Sequence, residues 1–110
     1  MNGGDSMKPH SHDWTLFKTK IPGWQMTFID RLNKEYIALL TSDKAPNEKF
    51  WALEKRIQKD RKSPGVIISM TQSNMELNIL SLIAHGVISQ ADLADFSEDL
   101  RGRIAAILRE

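Results

Sequence analysis

SMTQSNMELNILSLIAHGVISQADLADFSEDLRGRIAAILRE, residues 69–110, decides the fold. Ser69 followed by Gln72 has the spacing of a capping box, in which each side chain bonds the other's backbone N–H. Met70, Met75, Leu77, Ile79, Leu80, Leu82 and Ile83 then cover most of a helical circumference. A helix that is apolar nearly all round is a buried one, so this element, running to His85, is predicted to be the centre of the fold. Gly86 supplies the left-handed residue on which helices end, and Val87 the apolar contact that accompanies such an end. Ser89 opens the next helix, with Asp92 close to the positive end of its dipole. Leu93, Phe96, Leu100, Ile104, Ile107 and Leu108 form one stripe behind it. Ser97-Glu98-Asp99 is a second cap, so this run reads as one helix or as two with a break near Ser97. Gly102 weakens its middle by about 1 kcal/mol relative to Ala.

Upstream, Trp24, Phe28, Leu32, Tyr36 and Leu40 recur at i+4 and predict an amphipathic helix over residues 24–41. Pro22-Gly23 breaks the chain before it, and Trp14-Thr15-Leu16-Phe17 is left as a short apolar island. Pro46 suits the first turn of a further helix over 46–62, with Phe50, Ala52, Leu53 and Ile57 as its apolar stripe. Ser63-Pro64-Gly65 stops that helix, because Pro removes a donor and disfavours helical geometry just before itself. Val66-Ile67-Ile68 is an extended connector across the core. The reading is all-α: a compact bundle of four to five helices over residues 14–110, behind a disordered polar tail at 1–13.

Length and composition bound the rest. A chain of 110 residues makes one domain with a modest core. A net charge of +1 gives no global pull toward nucleic acid or membrane, so any such pull is local. The absence of cysteine excludes disulfides and thiolate chemistry. No apolar run approaches the roughly 20 residues that span a bilayer, and the N-terminus lacks the apolar core of a secretory signal. A cytoplasmic protein without membrane contact is expected.

Chemistry is sparse. There is no Gly-rich phosphate loop, nucleophile elbow or Cys/His zinc pattern, so no catalytic residue, cofactor or small-molecule substrate is predicted. His10, His12 and Asp13 have ligand character, but a tail offers no scaffold, and no metal is expected. Lys55, Arg56, Lys59, Arg61 and Lys62 make a local basic patch at a helix C-terminus, where cations also complement the dipole. Asp92, Asp95 and Asp99 share one helix face at i+3 and i+4 spacing. That acidic stripe would meet the basic patch of a second copy or of another protein. Trp14, Phe17 and Trp51 are the aromatic anchors expected of such an interface.

The run from Leu77 to His85, followed by Ser89-Gln90-Ala91-Asp92-Leu93-Ala94, resembles the openings of winged-helix regulators. The resemblance covers the last third of the chain. It implies a helix-turn-helix over 76–110, without a wing, whose last helix enters the major groove. Arg101 and Arg103, helped by the basic patch, would then contact DNA. Glu98 and Asp99 at the start of that helix would oppose phosphates. The expected function is a small non-enzymatic accessory or regulatory protein that binds another protein, with a DNA-binding regulator as the alternative.

Overall fold

The computed structural model describes residues 9–109. Four α-helices form it: α1 (Pro9–Leu40), α2 (Pro46–Asp60), α3 (Met75–Ala84) and α4 (Glu98–Leu108). Two 3₁₀ turns, Gln72–Asn74 and Gln90–Leu93, precede α3 and α4. No strand occurs among the described residues, and none of the helices is long and apolar enough to cross a membrane. The helices make bundle-like contacts along α1, which stretches the molecule to 65 × 30 × 18 Å.

Helix α1 corrects the expectation that Pro22-Gly23 breaks the chain. It runs for 32 residues straight through Pro22. Asp13, Phe17, Ile21, Phe28 and Leu32 are buried, with Trp24 half-buried in the same phase. These positions advance by three or four and keep one face on the core across the proline. Pro22 and Gly23 both lie on the exposed face. The carbonyl that loses its N–H partner to Pro22 therefore faces water, where the loss is tolerated. Asp13, grouped with the tail on composition, sits inside α1 at 1% exposure. Residues 1–8 of the expected tail lie outside the described residues.

The core gathers Phe17, Ile21, Phe28 and Leu32 of α1, Met75, Ile79 and Leu82 of α3, Val87, Ile88, Leu93 and Phe96 of the turns, and Leu100 and Ile104 of α4. Trp14, Phe17, Trp24 and Phe96 run through it as a ladder of aromatic contacts with centroids 6.2–6.3 Å apart. Gly86 adopts φ 72° as expected. The N–H of Val87 donates to Leu82 O at 2.9 Å and that of Gly86 to Ile83 O at 3.0 Å, the double bond pattern of a Schellman end.

The other caps differ from expectation. Thr71, not Ser69, accepts from the N–H of Asn74, at 3.2 Å, and the 3₁₀ turn delays α3 to Met75. Ser69 lies outside the helix, and its carbonyl accepts from Asn78. The connector before it alternates, with Val66 and Ile68 packed on the core and Ile67 67% exposed. Ser89 opens a four-residue 3₁₀ turn rather than a helix; its N–H donates to Asp92 Oδ2 at 2.8 Å. The run behind it therefore breaks at Ser97, whose Oγ accepts from Leu100 N–H at 3.2 Å and starts α4.

Ser97 in turn donates from its N–H to Asp13 Oδ1 at 2.9 Å and from Oγ to Oδ2 at 2.6 Å. A carboxylate from α1, 84 residues away, thus sits at the positive end of α4 and satisfies its cap. Arg103 clamps α4 to α3 by a two-pronged contact with Glu76, at 2.8–3.1 Å.

Candidate functional site

Beyond Leu32, α1 runs alongside α2 as a two-helix arm, with Tyr36 still packed against the edge of the core. Pro46 starts α2, and Glu48 Oε1 accepts the N–H of Ala45 at 3.2 Å. The line Lys49, Ala52, Leu53, Arg56 and Asp60 is half-buried, at the i, i+3, i+4, i+7 spacing of a contact face. No residue of α2 is fully buried.

A polar clasp holds the arm together. Tyr36 Oη donates to Asp60 Oδ2 at 2.6 Å. Arg56 Nη2 donates to Glu35 Oε1 at 2.7 Å and to Asp60 Oδ2 at 3.4 Å, with its guanidinium carbon 5.6 Å from the Tyr36 ring centroid. Partial burial, and then the bond to the Asp60 carboxylate, push the Tyr36 hydroxyl up to about 12. The Glu35 contact raises the Arg56 guanidinium further above its already high range. Arg56 is thus a structural residue of the arm.

The arm has two unlike faces. One side is lined by Glu35, Arg56, Lys59 and Lys62, at the junction with His85. The other is an apolar groove in which Ile29, Leu32 and Asn33 of α1 meet Ile57, Arg61 and Val66. Helical spacing extends this second face: Ile37 and Leu40 follow Asn33 at i+4 and i+7, and Phe50 precedes Ile57 by seven. Ile37 is 60% exposed, Leu40 45%, Phe50 62% and Ile57 43%. Trp51, 63% exposed, stands at its edge with its ring against Phe50, centroids 4.9 Å apart.

Of the aromatic anchors named from sequence, only Trp51 is open. Phe17 is fully buried, because α1 continues through Pro22 and turns it into the core. Trp14 is half-buried on the core, with Lys18 Nζ 5.1 Å from its ring. The acidic stripe does not form. Asp92 is bound to Ser89, Asp95 pairs with Lys20 at 3.2 Å, and Asp99 lies in α4, past the break at Ser97. The shared face required one helix, and the 3₁₀ turn removes it.

Among the cations, Lys55, Lys59, Arg61 and Lys62 are exposed and carry no ion pair among the described residues. Arg101 Nε donates to Phe96 O at 3.0 Å, and Arg103 is held by Glu76. Asp13 is committed to Ser97, which takes it out of the His10–Asp13 ligand group.

Phe50, Ile37 and Leu40 were not singled out as surface residues from the sequence. One signal existed: Phe50 and Trp51 are adjacent, so about 100° separates them on a helix and one narrow contact face cannot take both. A second groove lies between Met75, Leu77 and Leu80 of α3 and Ile107 of α4.

The chain matches no protein-family model, no curated protein and no solved structure.

Proposed function

We propose that this chain is a small non-enzymatic accessory or regulatory protein of the cytoplasm that acts by binding another protein through its α1–α2 arm. The observation that carries this reading is the uncovered apolar face of the arm, from Ile37 and Leu40 to Phe50, Trp51 and Ile57. Water around such a contiguous patch is released on docking, and large aromatic side chains give the most binding energy per residue. The clasp of Tyr36, Asp60, Arg56 and Glu35 holds the patch in shape before any partner arrives, which lowers the ordering cost of binding. The test is a photoreactive amino acid in place of Trp51, activated in the native cell. One defined protein adduct, lost with Phe50→Asp, is the expected result. An adduct pattern indifferent to Phe50→Asp would reject the reading.

DNA binding is the second reading, supported by the unpaired exposed Lys55, Lys59, Arg61 and Lys62. It draws less from α4, where Arg101 and Arg103 already bond within the fold. Retardation of duplex DNA that falls steeply with salt would favour it, and salt-independent or absent retardation would sink it.

A further inference from the structure

We infer that the protein bound by the arm is a second copy of this chain, packed face to face and antiparallel about a two-fold axis into an intermolecular four-helix bundle. This rests on the protein-binding reading above and names its partner. The argument is self-complementarity. A two-fold axis pairs each residue with one equally far on the other side, so a surface suited to it must read the same in both directions. The axis that satisfies this face passes the groove where Ile57 of α2 meets Leu32 of α1. On α2, Glu54 and Arg61 lie three residues before and four after Ile57, on the same helical face. Antiparallel pairing about Ile57 therefore brings Glu54 of each copy to Arg61 of the other, twice over. Arg61 carries no ion pair among the described residues, and Glu54 bonds only the neutral amide of Gln58.

Helix α1 is compatible with the same axis. Its large exposed apolar residues on this face are Met26, 70% exposed, Ile37, 60%, and Leu40, 45%. Met26 and Ile37, the two most exposed, are centred between Arg31 and Leu32, within a residue of the groove shared with Ile57. One axis thus sets Met26 against Ile37 of the second copy while it pairs Glu54 with Arg61. A parallel arrangement would instead stack the cations of residues 55–62 on their own copies.

The area also fits. Ile37, Leu40, Phe50, Trp51 and Ile57, at 43–63% exposure, present on the order of 600 Å² of mostly apolar surface. Met26 and the polar rim bring this close to the roughly 800 Å² per partner of a standard interface. Two paired helices with one apolar face become a closed core when a second such layer covers them.

The experiment is sedimentation equilibrium of the full chain across concentration, with circular dichroism as the fold control. The wild type should show twice the 12.5 kDa chain mass. Glu54→Arg and Arg61→Glu, both at exposed sites, should each weaken the dimer by about tenfold or more through like-charge contact. The double swap should restore it, an outcome that misfolding or a general charge effect would not produce. Met26→Asp should give a folded monomer. A wild type that stays monomeric overturns the proposal, as does a dimer indifferent to the single swaps or one the double swap fails to rescue. A monomer that still forms one defined adduct from position 51 would overturn this inference alone and leave the protein-binding reading standing.

Discussion

The two ends of α1 are stabilised by different physics. At the N-terminal end, Phe17, Ile79, Leu82, Leu100 and Ile104 are fully buried, and Asp13, the one buried ionisable group among the described residues, is matched to the cap of α4. At the C-terminal end, α2 buries no residue, and the helices are held by the polar clasp around Asp60 while Phe50 and Trp51 face water. The first end is a finished core. The second is half of one, with its apolar side chains arranged on a single face. The same helix serves both, so the arm inherits its rigidity from the core while keeping its surface open.

Substitutions should separate the ends sharply. Leu100→Ala empties a site of 0% exposure and should cost about 2–5 kcal/mol, whereas Phe50→Ala should stay within about 0.5 kcal/mol. Urea titration at the lowest workable concentration measures both, and equal losses would erase the distinction between core and arm. Gly65→Ala comes next. An added Cβ would collide with Cδ2 of Phe28, at the point where the loop after α2 crosses α1. Displacing that buried ring should cost about 1–3 kcal/mol, read as a lower denaturation midpoint at unchanged slope. Asp13→Ala removes the acceptor of both Ser97 donors, with an expected cost of about 1–3 kcal/mol. Faster amide exchange at Ser97 and Leu100 would place that loss at the α4 cap, and unchanged exchange there would refute the role given to the Asp13–Ser97 contact.

The all-helical class was legible because periodicity carries it. The Gly86 end was legible because only a left-handed residue closes that turn. The course of α1 was not, since Pro22 outweighs a local reading, although Phe17, Ile21 and Trp24 already held the phase of Phe28 and Leu32. The Asp92–Asp95–Asp99 stripe failed because one 3₁₀ turn rotates its members apart, and a change of 3.6 to 3.0 residues per turn leaves no mark in apolar spacing. The arm escaped detection for a different reason. Sequence marks Phe50, Leu53 and Ile57 as apolar, but which of them finds a neighbour depends on how much core α1 has left to offer beyond Leu32.

The smallest expected effect probes the arm's own clasp. Tyr36→Phe keeps the ring under Arg56 and removes one bond, the donation to Asp60, so at neutral pH it should cost about 0.5–1.5 kcal/mol. Its pH dependence is more telling. The hydroxyl titrates near 10.0 in an unfolded chain and at about 12 in the fold. Folding thus favours the protonated form, and the contribution is complete below pH 10 and fades as pH rises toward 12. The wild type should lose stability over that interval by more than Tyr36→Phe does, with lysine titration common to both proteins. Matching losses in the two would mean that the phenol proton contributes nothing, and that Arg56 and Glu35 hold the arm closed without it.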